Sequence, residues 1–142
     1  MKKKIVKTLT ISRFCAYLCF NKKGRHPGKN CKRSMKQLIE RLLKIAAENP
    51  KGFTVTVPDC EPVRSGYAIG HKETQNSFGV AGLERVVEHS LATTGVVGGW
   101  KGYFGKYYFD TVIITQDGME ALDLKEEHGQ AAIYHLDTGR IL

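Results

Sequence analysis

Apolar positions recur along this chain with two different periods, and the changes of period mark its elements. Leu38, Ile39, Leu42, Leu43, Ile45 and Ala46 fall three or four residues apart, the spacing that gathers them on one helical face. Ser34 and Gln37 have the spacing of a capping box, so the helix is expected to open at Ser34, with Asn49 and Pro50 stopping it. Phe53, Val55 and Val57 then alternate with Thr54 and Thr56, the period of a half-buried strand ended by Pro58. A short strand is expected through Tyr67, Ala68 and Ile69. After Gly79 and Gly82 a second helix should bury Leu83, Val86, Val87 and Leu91, with Gly95 just past its end.

The clearest hairpin runs from Val96 to Trp100 and back from Tyr107 to Thr115, turning through Gly102 to Gly105. Its second arm is rich in the aromatic and β-branched residues that suit a pleated surface. Asp117, with Glu120 three residues on, should cap a third helix that Gly129 closes. Ala131 to Leu136 reads as a last strand, and Asp137 to Gly139 as a turn toward Ile141. The fold class that follows is α+β: a mixed, mainly antiparallel sheet with helices packed on one face.

Charge divides the chain in two. Residues 1–51 hold 15 Lys and Arg against Glu40 and Glu48, a balance of +13, whereas from Gly52 onward 7 basic and 12 acidic residues leave −5. The expected organisation is a basic extension and linker over residues 1–33, followed by a single α+β domain over 34–142. Lys22, Lys23, Arg25, Lys29, Lys32 and Arg33 are candidate phosphate contacts, so nucleic acid is a candidate partner through residues 1–36. Phe14, Tyr17 and Phe20 are aromatics that could stack on bases. Lys7 and Arg13 interrupt the apolar run that a signal peptide would need, no run is long enough to span a bilayer, and a cytoplasmic setting is expected.

Candidate chemistry is sparse. Cys15, Cys19, His26 and Cys31 approximate a zinc knuckle without its spacing, a weaker alternative to reading the cysteines as small buried apolar residues. The glycines near the hairpin do not form a phosphate loop, since Gly105-Lys106 is followed by Tyr107 rather than Ser or Thr. No cofactor is implied. Gly98 and Gly99 permit close approach to the backbone, so Trp100 could line a groove with Tyr67, Tyr103 and Tyr107. His71, on a polar loop, and Asp110, after three aromatics, complete the candidate binding set. His71, Asp110 and His135 are also the groups an unrecognised hydrolase or transferase would use.

The runs Gly98-Gly99-Trp100, Gly105-Lys106-Tyr107-Tyr108-Phe109-Asp110 and Gln130-Ala131-Ala132-Ile133-Tyr134-His135-Leu136 resemble a family of small α+β proteins of unassigned activity. Members of that family occur in bacterial mobile elements and phages, sometimes as a module of polyvalent proteins. Met35 to Ile39, Gly52 to Val55 and Gly66 to Ile69 are similar too, so the resemblance covers Met35 to the end. It implies a fold and a setting but no reaction, and no catalytic residue is carried over. The expected function is a non-enzymatic binding module of a mobile element, contacting an as yet unknown protein partner or a nucleic acid. A nucleic-acid accessory role for the basic leader is the first alternative.

Overall fold

A computed structural model describes residues 27–142, with side chains from Ser34 onward. The zinc candidates Cys15, Cys19, His26 and Cys31, the phosphate candidates Lys22, Lys23, Arg25, Lys29, Lys32 and Arg33, and the aromatics Phe14, Tyr17 and Phe20 have side chains outside the described residues.

Helix α1 spans Pro27–Glu48 and so begins seven residues before Ser34, which is not its cap. Proline suits a first helical turn, and Lys and Arg are good helix formers, so the polar stretch extends the helix without any apolar period to announce it. Leu38, Ile39 and Leu42 are buried as their spacing demands. Asn49 ends the helix by returning both its backbone N–H (3.0 Å) and its Nδ2 (2.8 Å) to the Ile45 carbonyl.

Seven strands follow: β1 (Gly52–Thr56), β2 (Tyr67–Gly70), β3 (Ser77–Phe78), β4 (Val96–Lys101), β5 (Tyr107–Thr115), β6 (Tyr134–His135) and β7 (Arg140–Ile141). They form one sheet in the order β1-β4-β5-β2-β6-β7, with β3 also paired to β5. Each of these ladders is antiparallel. The expected hairpin is the β4–β5 pair, with Trp100 opposite Tyr108 and Gly98 opposite Asp110.

β2 and β3 lie along the same side of β5, separated by a detour through a short 3₁₀ turn, Lys72–Thr74. The sequence pattern misses β3, because two residues are too few to show a period.

Helices α2 (Gly79–Ala92) and α3 (Gly118–Glu127) complete the fold. Alternation along β5 turns Phe109 and Thr111 toward the helices. Phe109 and Val97 join Leu38, Ile39, Leu42, Leu83, Val86 and Val87 in the main core. A smaller cluster packs Ala121 of α3 against Ile69 and Ile133. Gly82 lies inside α2 rather than before it, where a Cβ would stand 2.9 Å from the Ser77 carbonyl carbon, so glycine lets the helix rest on β3. Asp117 caps α3 as expected, accepting from Met119 N at 2.8 Å, but Glu120 receives the Thr115 hydroxyl instead of closing a capping box.

The last strand is shorter than Ala131 to Leu136. Gln130 N is committed to the end of α3 through the Lys125 carbonyl (2.9 Å), and Ile133 pairs with Leu142, leaving Tyr134 and His135 to pair with β2. Among the described residues no helix is long and apolar enough to cross a membrane.

Candidate functional site

Because strand neighbours point to opposite sides, Tyr108 and Asp110, which alternate with Phe109 and Thr111, emerge with their cross-strand partners on the sheet face away from the helices. Trp100 of β4, Tyr108 and Asp110 of β5, and Phe78 of β3 share that face. The Trp100 and Tyr108 rings are stacked, with centroids 4.9 Å apart at 23°. Phe78 meets Tyr108 edge-on at 6.1 Å, and the Lys106 ammonium lies 4.6 Å from the centre of the Phe78 ring. Trp100 and Phe78 are nonetheless 45% and 50% exposed, so the group forms an aromatic ledge rather than a core.

Asp110 fixes the end of this ledge. The Trp100 indole Nε1–H donates to Asp110 Oδ2 at 2.7 Å, which locks the ring's orientation. Burial pushes the Asp110 carboxyl above its ordinary value, and the indole bond opposes that rise without cancelling it. Glycines make the approach possible. A Cβ on Gly98 would stand 2.6 Å from Val112 Cγ2, and one on Gly70 would stand 2.8 Å from Gln130 Oε1 and 3.6 Å from Asp110 Oδ2.

The remaining candidates go elsewhere. Tyr107 occupies the helix side of β5, stacked on Phe53 at 6.3 Å, with its hydroxyl donating to the Asn49 carbonyl at 2.9 Å. Burial pushes its phenol up to about 12. Tyr107 also lines an open apolar groove of about 400 Å³ with Leu43, Ala46 and Phe109, and Phe78, on the strand β3 that pairs only with β5, borders that groove as well as the ledge. Tyr103 stands out in the hairpin turn, largely exposed. Tyr67 is stacked on His135 at 4.4 Å, across the β2–β6 pair and on the other side of β5 from Trp100. The groove of Trp100 with Tyr67, Tyr103 and Tyr107 is therefore not formed; Tyr108 and Phe78 take their places.

His71 lies in a second cluster on the helix side. Its ring centroid is 4.5 Å from that of His89 and 4.5 Å from that of His128. Desolvation, followed by the charges His89 and His128 would carry and by Lys72, lowers its pKa to about 4, with Glu73 pulling the other way. His71 Nδ1 accepts from Glu73 N at 3.1 Å, and His128 Nδ1 accepts from Lys72 N at 3.2 Å, so both rings have spent their basic nitrogen on the backbone. Neither is placed to act as a general base through Nδ1.

His135 is engaged at both nitrogens, with Asp137 Oδ2 at 3.1 Å and Thr138 Oγ1 at 2.9 Å, and so braces the terminal turn. His71, Asp110 and His135 thus serve three separate constellations. Among the described residues no group of three or more His, Cys, Asp or Glu side chains is arranged to hold a metal ion. Cys60 is buried, and burial raises its thiol.

Comparison with known proteins gives no match, whether to family models, to curated proteins or to solved structures.

Proposed function

We propose that this protein is a binding module that works by contact with a protein or a nucleic acid, without turnover. The observation that carries the reading is the exposed Trp100–Tyr108–Phe78 ledge, held in place by the indole bond to Asp110. Rigid, partly exposed aromatic anchors are what binding hot spots are made of, and a ring already fixed by hydrogen bonding and stacking loses little entropy when a partner covers it. The scatter of His71, Asp110 and His135 supports contact over catalysis. We propose a setting inside the cell, on a mobile element, and that part of the proposal rests on the sequence resemblance alone.

The test is affinity capture with the full chain and with Trp100→Ala, both checked for cooperative melting. The variant is expected to retain the fold and lose captured partners; an unchanged captured set would overturn the reading.

The charge of the first 51 residues favours a second reading, a nucleic-acid accessory role for the leader. It requires binding to duplex or single strands whose affinity falls steeply with salt, and neutralising Lys22, Lys23, Arg25, Lys29, Lys32 and Arg33 should flatten that dependence.

A further inference from the structure

We infer that the corner between Trp100 and Asp110 receives a guanidinium group, presented by an arginine in a basic segment of a partner protein. This deepens the binding-module reading and rests on it. The corner offers acceptors. Asp110 Oδ2 holds the indole N–H, Oδ1 has no bond of its own to the described residues, and Gln130 Oε1 converges with the carboxylate over the bare Cα of Gly70. Gln130 Nε2 donates to the His128 carbonyl at 3.1 Å, which turns the acceptor end of that amide toward the corner.

The carboxylate forms no ion pair among the described residues, so it is desolvated beside a neutral donor and lacks a counter-charge. A cation arriving there regains what burial costs the carboxylate.

Planarity and donor count choose among cations. Guanidinium is flat, carries five N–H donors and stacks on aromatic faces, whereas an ammonium is a compact point charge. Trp100 supplies the face, and the Lys106 ammonium over Phe78 shows that this ledge already holds a cation. The groups that converge at the corner, Asp110 Oδ2 and Gln130 Oε1, are acceptor oxygens, which suit a donor-rich cation and repel a polyphosphate.

Trp100 is the sole tryptophan of the chain, so its emission reports this corner directly. The full chain is titrated with a short neutral peptide carrying one arginine, with its citrulline and lysine counterparts, and with a guanine-containing single strand. The arginine peptide is expected to shift Trp100 emission saturably and to bind about tenfold or more tightly than the citrulline peptide, as loss of a charged hydrogen-bond partner implies. Lysine should fall between, and Asp110→Asn should erase the difference between arginine and citrulline. Equal binding of arginine and citrulline peptides by the wild-type chain, which needs no variant to fold, overturns the inference, as does a response to the oligonucleotide alone. If the arginine peptide fails while Trp100→Ala still empties the captured set, the binding module stands and its guanidinium ligand falls.

Discussion

Asp110 and Thr111 are neighbours in the chain and look out of opposite sides of the same sheet. Thr111, fully buried, is tied to the helix layer: its Oγ1 lies 2.8 Å from Ser90 Oγ, 3.0 Å from His89 Nδ1 and 3.3 Å from the Val86 carbonyl. Asp110 is tied to the exposed ledge through Trp100. One step along β5 therefore separates a polar knot that secures α2 from a surface fit for contact.

Replacing Thr111 with Val keeps the shape and strips the hydroxyl, leaving Ser90 Oγ buried without its partner. The expected cost is about 1–3 kcal/mol in denaturant unfolding, with Trp100 emission unchanged at neutral pH. The double variant with Ser90→Ala should cost less than the sum of the two single changes, because the orphaned hydroxyl is gone; strict additivity would refute the shared bond.

Acid should weaken the fold through His71. Its pKa is about 4 when folded against 6.5 in the ordinary state, so between those values the unfolded chain binds the extra proton. The stability this group contributes is complete above pH 6.5 and is lost as pH falls toward 4. Melting temperatures of the wild type should drop across that window. His71→Asn, which keeps an acceptor for Glu73 N but does not titrate, should flatten that drop.

Asp110 contributes with the opposite sign. Its folded pKa is raised, so its contribution is complete below the ordinary carboxylate value of 3.8 and is lost as pH rises through the folded pKa. Asp110→Asn, which preserves an acceptor for the indole, should be at least as stable as the wild type at neutral pH. In the wild type, Trp100 emission should titrate with a midpoint above 3.8, and in Asp110→Asn that transition should vanish.

Glycine at position 99 is a packing requirement. A Cβ there would collide with Phe53 Cε1 and stand 2.7 Å from Tyr107 Cε1, both part of the packed helix side of the sheet. Gly99→Ala should cost about 1–3 kcal/mol as those rings are forced aside. Thermal melting that matches the wild type would show that the rings move freely.

Much of this fold is legible in the sequence because its elements carry their own punctuation. The β4–β5 hairpin shows two apolar arms around a glycine-rich turn, and α3 has Asp117 before it and Gly129, at φ 60°, after it. What escapes is whatever depends on register. Trp100 and Asp110 are both legible as candidates, yet only the pairing of Trp100 with Tyr108 tells that Asp110 lies diagonally beside the indole and Tyr107 behind it, since a shift of one residue exchanges the faces. The triad of rings at His71, His89 and His128 leaves no local trace, being assembled from a strand detour, the last turn of α2 and the end of α3.

The margins of the sheet bear on how the protein behaves when concentrated. Along the outer side of β1 the chain doubles back: Val55 bridges Pro62, Val63 N donates to the Thr54 carbonyl at 2.9 Å and Thr56 N to that of Glu61 at 2.8 Å. At the far margin β7 is a two-residue stub that includes Arg140. A long bare edge templates the addition of foreign strands, whereas a proline-shielded rim and a charged stub do not. The molecule can thus display a greasy ledge in the middle of its sheet while its borders discourage fibre growth.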